Sequence, residues 1–393
     1  MAKAKKAKKK LRQRAAVKFP RAAVLPRIFY YRVKLEFDKL DNSLVRKLTA
    51  IFFLLIMLWV GGMYGIARWY MWDQRDTPLK YGVTFIPRYA RHFDLDPKDT
   101  LRAIIDELGV RQLRLVSYWD DAEKVQGTYD FTELDWQFKM AEESNSKVSL
   151  AIGLRQPRWP ECHMPKWAEA MPMSQWSVEL KKYMGAVINR YQNSPALESY
   201  QLENEFFMTV FGICPDHSRE RLVDEYNFVK SLDQEHPVIV SRSNNWVGFP
   251  WYDPRPDEVG ISVYKRVWDS TLTKRYFEYP LPASFYAFLG GIGKIATGKD
   301  LMIHELQAEA WLPSGYEMNR IEDIPEQNKS LNAERLKDRI EYGRATGLKE
   351  IYLWGAEWWY WRKVKADDPS LWNVARESIA EAYYINGTSP YKD

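Results

Sequence analysis

Hydrophobic and polar positions divide the chain into two regions of different pattern. Residues 48–67 form a run of 20 positions without a charged side chain, L-T-A-I-F-F-L-L-I-M-L-W-V-G-G-M-Y-G-I-A. A helix of this length covers the roughly 30 Å hydrocarbon core of a bilayer. Arg46 and Lys47 precede the run and an R-W-Y-M-W segment follows it from Arg68, which is typical of membrane edges. The pattern predicts a transmembrane helix; a cleaved signal peptide or a buried core helix would have a shorter apolar run.

From residue 81 onward, short apolar runs alternate with longer amphipathic stretches. The amphipathic stretches predict helices, the clearest of which has Asp96 as its N-cap and Gly109 as its terminator. The apolar runs predict eight strands, at Gly82–Phe85, Gln112–Ser117, Lys147–Ile152, Leu197–Glu205, Pro237–Ser241, Val259–Tyr264, Leu301–Glu305 and Glu350–Trp354. Further helices are predicted at Thr132–Glu143, Ser177–Asn193, Ser218–Leu232, Ala283–Ile295, Glu326–Thr346 and Val374–Tyr384.

Eight alternating strand and helix units predict an α/β fold, a (β/α)8 TIM barrel, for residues 81–393. The structural alternative is an open doubly wound sheet, which usually carries a Gly-rich phosphate turn after its first strand. That position here reads F-I-P-R-Y-A-R, which contains no glycine. The pattern therefore favours the barrel.

Charge separates the two regions as well. Residues 1–47 carry 16 Lys or Arg against three acids, a net charge of +13, whereas the rest of the chain carries 41 bases and 49 acids, a net charge of −8. By the positive-inside rule we expect a basic cytoplasmic tail at 1–47, a linker at 68–80 and an extracytoplasmic body, in a single-pass protein of the cell membrane. A nucleic-acid-binding arm is the alternative for the tail. The favoured interpretation is a polybasic segment that contacts anionic lipids, so no nucleic-acid partner is expected.

Candidate chemistry follows from the strand ends, because active sites of such barrels lie at the carboxyl ends of the strands. The fourth predicted strand ends in Y-Q-L-E-N-E and the seventh in L-M-I-H-E, which places Glu205 and Glu305 at the same end of the barrel. Burying a carboxylate costs several kcal/mol unless it is paired or functional. Two carboxylates facing one site are what cleavage of a glycosidic bond requires, one as acid and one as nucleophile or base.

These motifs resemble those of clan A glycoside hydrolases, the retaining (β/α)8 group that includes the family 5 cellulases and mannanases and the family 42 β-galactosidases. Asn204 and Glu205 are similar to the clan's Asn-Glu pair, which implies that Glu205 is the acid/base and that Asn204 binds the sugar 2-hydroxyl. Glu305 stands where the clan has its nucleophile. The clan acts on β-linked glycosides, so the resemblance implies a β-linked oligo- or polysaccharide as substrate.

Three further positions carry the resemblance. Arg114 in Q-L-R-L-V resembles the second-strand Arg that supports the nucleophile, and Tyr264 in I-S-V-Y resembles the sixth-strand Tyr that hydrogen-bonds it. Trp354 in Y-L-W-G resembles the eighth-strand Trp beneath the sugar next to the cleaved bond. The segment G-T-Y-D-F-T-E-L-D, residues 127–135, is also similar to several families of the clan. In contrast, the third strand ends in R-Q-P-R-W-P where family 5 has a His-bearing motif.

Side-chain alternation along strands adds two expectations. Glu203 and Glu205 would share a face, so Asn204 and Glu205 can both enter the site only if a bulge or bend breaks the alternation. Glu203 would then be an inward carboxylate that needs a partner, Arg114 or Arg155. On the seventh strand, alternation turns the residue before Glu305, His304, towards the helices, where we expect a hydrogen-bonded structural residue.

Glu309, four residues beyond Glu305, is the alternative nucleophile. We favour Glu305 because preorganised groups belong on rigid elements, and we expect Glu309 to bind a sugar hydroxyl. Trp119 is expected to bind substrate too, since pyranose rings stack on aromatic planes. Other Trp side chains on predicted loops at this end are Trp159, Trp167, Trp246, Trp251, Trp268, Trp311, Trp358, Trp359 and Trp361.

The two cysteines, Cys162 and Cys214, fall in the loops after the third and fourth strands, which are neighbours in a barrel. We predict that they form a disulfide in an extracytoplasmic domain. Neither cysteine has metal-ligand spacing and the five histidines form no repeated ligand motif, so no metal or other cofactor is expected.

The sequence thus predicts a membrane-anchored retaining glycoside hydrolase. One alternative is a catalytically inactive barrel that binds carbohydrate, because a fold does not fix a function. Another is a transglycosylase that uses the same residues and passes the glycosyl group to a second sugar.

Overall fold

The computed structural model describes residues 42–243 and 253–387 of the 393-residue chain. Most of the predicted basic tail lies outside these ranges, as do Trp246 and Trp251 from the loop after the fifth strand. The chain divides into an N-terminal unit that ends at Met63 and a barrel unit that begins at Tyr64.

Eight parallel strands close into a barrel in the second unit, and the first strand pairs with the last. They are β1 (Lys80–Thr84), β2 (Gln112–Val116), β3 (Lys147–Ile152), β4 (Leu197–Leu202), β5 (Val238–Ser243), β6 (Glu258–Val263), β7 (Leu301–Gln307) and β8 (Glu350–Trp354). Each predicted strand corresponds to one of these, and the predicted TIM barrel is confirmed. A two-stranded hairpin after β6, which pairs Arg266–Trp268 with Tyr276–Glu278, was not predicted.

Helices connect the strands and cover the outside of the barrel. The structure has α1 (Asn42–Asp73), α2 (Pro87–His92), α3 (Pro97–Asp106), α4 (Trp119–Ala122), α5 (Thr132–Glu143), α6 (Met173–Tyr191), α7 (Arg219–Leu232), α8 (Ala283–Thr297), α9 (Ile324–Ser330), α10 (Ala333–Ala345), α11 (Ala356–Lys365) and α12 (Ser370–Ile385). The long helix predicted at 326–346 is two helices, α9 and α10. It breaks because the Asn332 side chain accepts a hydrogen bond from Arg335 N, at 2.9 Å, and caps α10 as a new helix.

A bulge in β7 changes which of its side chains enter the barrel. On β6, Ile261 pairs with Ile303 but the next residue pairs with Glu305, so β7 carries one extra residue at this point. His304 is fully buried and its Nε2 lies 3.2 Å from Ser149 Oγ on β3, across the barrel. The prediction that His304 faces the helices is therefore wrong, because the bulge breaks the alternation. It is hydrogen-bonded, as predicted.

The first helix, α1, is the described segment that is long and apolar enough to cross a membrane. In the N-terminal unit its apolar side chains between Leu48 and Val60 are exposed. The helix runs on to Asp73, so residues 68–73 of the predicted linker are helical.

Within the barrel unit, the last turns of α1 pack against α8. Tyr70 is 1% exposed, and its ring leaves so little room at Gly290 that an added Cβ would lie 2.7 Å from it. Lys294 Nζ lies 3.0 Å from the Asp73 carboxylate, and Gln74 Nε2 donates to Asp300 Oδ1 at 3.0 Å. The end of α1 is thus an integral part of the barrel unit.

We predict that Gly290→Ala destabilises the barrel. The added methyl group would overpack the Tyr70 ring, at a cost of about 1–3 kcal/mol, which exceeds the gain in helix propensity of up to about 1 kcal/mol. Gly185→Ala on α6 is the matched control, because its Cβ would meet Phe228 at an ordinary 3.4 Å. Thermal unfolding of the detergent-solubilised protein, followed by circular dichroism, should show a lower midpoint for Gly290→Ala alone. Equal midpoints for the two variants would contradict the packing of α1 on α8.

Candidate active site

A cavity of about 1130 Å³ opens at the carboxyl ends of the barrel strands. Six of the eight residues predicted for catalysis or substrate binding line it: Asn204, Glu205, Tyr264, Glu305, Glu309 and Trp354. The barrel therefore brings most of the predicted site to one place. The other two, Arg114 and Trp119, are fully buried and do not line the cavity.

Glu305 projects from β7 and accepts hydrogen bonds from two donors on other strands. Arg114 Nη1 on β2 lies 2.9 Å from its Oε2 atom. The hydroxyl of Tyr264, which follows β6, donates to its Oε1 atom. Both contacts are those expected from the resemblance. They hold the carboxylate in one orientation, which suits a group that must attack a fixed carbon atom.

Arg114 joins Glu305 to the fourth strand. Its Nη2 atom donates to Asn204 Oδ1 at 2.9 Å, and its Nε atom donates to Gln201 Oε1 at 2.7 Å. Gln201 Nε2 also donates to Asn204 Oδ1, at 3.0 Å. Ser241 Oγ is a third donor to this atom, at 3.3 Å, so three hydrogen bonds fix the amide oxygen of Asn204 and leave its NH2 group on the opposite side.

The backbone after β4 bends so that consecutive residues reach the cavity. The strand ends at Leu202, and Glu203 and Glu205 have positive φ angles of 55° and 43°. Such angles are costly for residues other than glycine and are found at functional sites. The bend replaces the strand alternation, so Asn204 and Glu205 both line the cavity. This is the distortion that the resemblance implied.

Glu203 points away from the cavity and anchors the bend. Its carboxylate accepts hydrogen bonds from the backbone N–H groups of Leu154 and Arg155, at 2.7 and 2.8 Å, and from Arg221 Nη1 at 3.0 Å. Of the two expected partners, Arg155 therefore contacts Glu203, but through its backbone N–H, and the ion pair is made by Arg221 instead. The partner, Arg221 on α7, could not be found from strand patterns because it comes from a different element.

Glu205 is 8% exposed and has a different environment from Glu305. Burial, followed by the repulsion of the nearby Glu305 carboxylate, raises the pKa of Glu205 to about 8. Its Oε1 atom has no hydrogen-bond partner among the protein atoms that the structure describes. The raised pKa favours the protonated form of Glu205 at neutral pH.

The loop after β3 supplies two charged groups that the sequence analysis missed. Glu161 Oε2 accepts from Asn204 Nδ2 at 3.1 Å, and burial raises the pKa of Glu161 to about 7. Arg158 also lines the cavity, and both residues have positive φ angles, of 83° and 73°. The sequence does contain an indication of these two residues. In R-Q-P-R-W-P-E the chain departs from the family 5 motif and places three charged residues close together.

Arg158 and Glu309 form a two-pronged ion pair at the cavity wall. Arg158 Nη1 and Nη2 each lie 3.0 Å from one oxygen of Glu309. The guanidinium also stacks between two rings, with its central carbon 3.4 Å from the centre of Tyr89 and 4.3 Å from that of Trp354. Arg158 therefore covers one face of Trp354. Its guanidinium also holds the Glu309 carboxylate, whereas Arg114 and Tyr264 hold that of Glu305.

The structure does not bring Trp119 to the site. Its ring is fully buried, its Nε1 atom donates to Glu123 Oε2 at 2.6 Å, and it packs edge-on against Trp167. The expected contact with substrate has no support from this position. Of the remaining predicted Trp side chains within the described chain, Trp358 and Trp359 are buried in the core, whereas Trp159, Trp268 and Trp311 line the cavity.

Cys162 and Cys214 form the predicted disulfide, with 5.2 Å between their Cα atoms. The bridge joins the loop that carries Arg158 and Glu161 to the loop that follows Glu205. In residues 42–243 and 253–387, no group of three or more His, Cys, Asp or Glu side chains could hold a metal ion.

No protein-family model matches the chain, and no curated protein sequence matches it. Solved structures do resemble it. The likeness shows the fold: a (β/α)8 barrel of the kind found in clan A glycoside hydrolases. The GH5_18 protein from Streptomyces cattleya, in complex with GlcNAc, has a TM-score of 0.54 at 14% identity, over 79% of this chain and 81% of that one.

Two β-galactosidases are similar as well, one from the Antarctic haloarchaeon Halorubrum lacusprofundi and one from Rahnella sp. R3. Each has a TM-score of 0.52 at 13% identity, over 77% and 80% of this chain, respectively. The chain spans little more than half the length of these two enzymes, 58% and 57%.

We predict that removing the disulfide destabilises the loops of the site. Closing a 52-residue separation contributes about 4 kcal/mol in the chain-entropy account of cross-links, with a range of roughly 2–5 kcal/mol for native bridges. Denaturant unfolding of the Cys162→Ser/Cys214→Ser double variant should show this loss. Thiol titration of unreduced, denatured wild-type protein is the companion measurement, and two reactive thiols per chain would refute the bridge.

Proposed function

We propose that the chain is a retaining glycoside hydrolase that cleaves β-glycosidic bonds of an oligo- or polysaccharide. The observation that supports this most directly is the pair of carboxyl groups at one cavity. Glu305 is held by Arg114 and Tyr264, whereas burial and repulsion raise the pKa of Glu205. A glycosidase needs two carboxyl groups whose environments keep one charged and the other protonated.

The proposed reaction has two displacements. In the first, Glu305 attacks the anomeric carbon while Glu205 gives its proton to the glycosidic oxygen, so the C–O bond breaks and the leaving sugar departs as an alcohol. In the second, Glu205, now a carboxylate, takes a proton from water, and the resulting oxygen displaces Glu305 from the anomeric carbon. The two inversions retain the configuration.

The neighbouring residues have supporting roles in this proposal. Asn204 would donate its amide N–H to the sugar 2-hydroxyl, since Arg114 and Gln201 fix its oxygen on the other side. Glu161 contacts the same amide group and would orient it. Arg158 and Glu309 would bind sugar hydroxyls at the cavity wall, and Trp354 would contact the sugar ring with the face that Arg158 leaves uncovered.

We further propose that α1 anchors this barrel in the cell membrane with the barrel outside the cytoplasm. The apolar length of α1, the +13 charge that precedes it and the disulfide in the barrel support this arrangement. The substrate would then be an extracytoplasmic glycan.

The two carboxyl groups should differ in how their loss can be rescued. On an aryl β-glycoside with a good leaving group, Glu205→Ala should retain glycosylation and regain turnover with azide, which attacks without a base. On poorer leaving groups the loss should be about 10²–10⁴-fold, the usual worth of general acid catalysis. Glu305→Ala should lose glycosylation itself, and azide should give a product of inverted configuration.

Glu309→Ala is the comparison that tests the assignment of the nucleophile. It should retain azide-independent turnover, with a higher KM from the broken pair with Arg158. If Glu309→Ala abolished turnover while Glu305→Ala did not, the nucleophile would be Glu309 and the assignment to Glu305 would be wrong. If neither variant changed the cleavage of any β-glycoside that the wild type hydrolyses, the hydrolase proposal would fall.

The pH profile should report the pKa of Glu205. A general acid must be protonated, so kcat/KM should fall as the pH rises through about 8. The charge of Glu161 contributes to raising this pKa, and Glu161→Gln should therefore move the alkaline limb to lower pH. Glu143→Gln, at an exposed position on α5, is the control and should leave the limb in place. An unchanged limb in Glu161→Gln would contradict the electrostatic coupling.

A further inference from the structure

The helix α8 differs in composition from the other helices around the barrel. It contains a single charged residue, Lys294, in 15 positions, whereas α10 contains seven charged residues in 13. An outer helix of a soluble barrel normally turns a polar face to water. On α8, half-buried or exposed apolar side chains recur at helical spacing instead, at Phe285, Phe288, Leu289, Ile292 and Ile295. Ile295 is 61% exposed.

The opposite side of α8 is buried in the barrel unit and contacts the end of α1. Its buried residues are Tyr286, Ala287, Gly290, Gly291 and Gly293. Two of these glycines meet the end of α1: a Cβ on Gly291 would lie 2.6 Å from Ile66, and one on Gly290 would lie 2.7 Å from Tyr70. Phe285, Phe288 and Leu289 also pack partly against the core, so the stripe is the side of α8 that the barrel and α1 leave only half-covered.

The contact of α8 with α1 lies next to the predicted membrane-spanning segment. Ile66 belongs to the uncharged run at 48–67, so α8 touches α1 where the membrane-spanning segment ends. Trp69 and Trp72, about one and two turns further along, are 38% and 60% exposed, as aromatic residues of the membrane interface are. The Lys294–Asp73 ion pair follows at the polar end of the same contact.

We propose that the face of α8 formed by Phe285, Phe288, Leu289, Ile292 and Ile295 docks on the lipid bilayer. In this arrangement α8 is an interfacial helix that holds the barrel against the membrane surface beside its anchor. The inference rests on the proposed membrane anchor, because the bilayer is the partner that α1 would bring to this face. An apolar stripe with almost no charge fits the boundary between headgroups and acyl chains.

Collisional accessibility of a spin label tests the docking in the full-length protein reconstituted in phosphatidylcholine vesicles. Both native cysteines are in the disulfide, so Ile295→Cys provides a single labelling site. Val178→Cys is the matched control, an apolar residue that is 46% exposed on α6, between β3 and β4 and thus far round the barrel from α8. Oxygen concentrates in lipid, whereas an aqueous nickel chelate is excluded from it.

The label at position 295 should collide severalfold more with oxygen, and severalfold less with the nickel chelate, than the label at position 178. Equal accessibilities in protein that resists extraction by alkaline carbonate would overturn the docking while leaving the anchor intact. Protein that carbonate extracts would overturn the anchor and the docking with it. Because Ile295 is exposed, its variant should unfold at the wild-type temperature, and Ile292→Cys provides a second site on the same face.

Discussion

The site depends on one buried cation, the Arg114 guanidinium at the centre of the barrel. It is fully buried, and a charge in that position costs several kcal/mol unless it is paired and hydrogen-bonded. Its donors contact Glu305 on β7, Asn204 after β4 and Gln201 on β4. The two residues assigned to the nucleophile and to the 2-hydroxyl are thus oriented by the same rigid group before any ligand binds. Such preorganisation is what the proposed hydrolase would need.

The second constraint is the position of Glu205 beside Glu305. The charge of Glu305 raises the pKa of Glu205, whereas the hydrogen bonds of Arg114 go to other side chains. Repulsion and burial act on Glu205 in the same direction, and both keep its proton in place. Glu161, which lines the same cavity, also has a raised pKa. In the proposed mechanism, each added carboxylate would make Glu205 a weaker acid, better matched to neutral pH.

Local pattern was sufficient for the barrel and for the meeting of Glu205 and Glu305 at its carboxyl end. The contacts of Glu305 with Arg114 and Tyr264 were implied by the resemblance to clan A glycoside hydrolases, and both are present. Local pattern gave a wrong prediction where a tertiary feature changes the direction of a side chain or supplies its partner from another element. The bulge in β7 turned His304 inward, and an arginine from α7 paired with Glu203. Trp119 was misplaced because the sequence shows that an aromatic residue follows β2 but not whether it faces the cavity or the core.

The loops that carry the site residues have a strained backbone. One contact that restrains them also bears on the cellular compartment of the barrel. Arg158, Glu161, Glu203 and Glu205 all have positive φ angles, which persist only where surrounding contacts over-determine them. One such contact is the Cys162–Cys214 bridge, which ties the loop after β3 to the loop after β4. A disulfide persists in oxidising compartments outside the cytosol. The bridge therefore supports the proposed placement of the barrel outside the cytoplasm. The excess of positive charge before α1 favours the same side, although it is independent of any contact in the barrel.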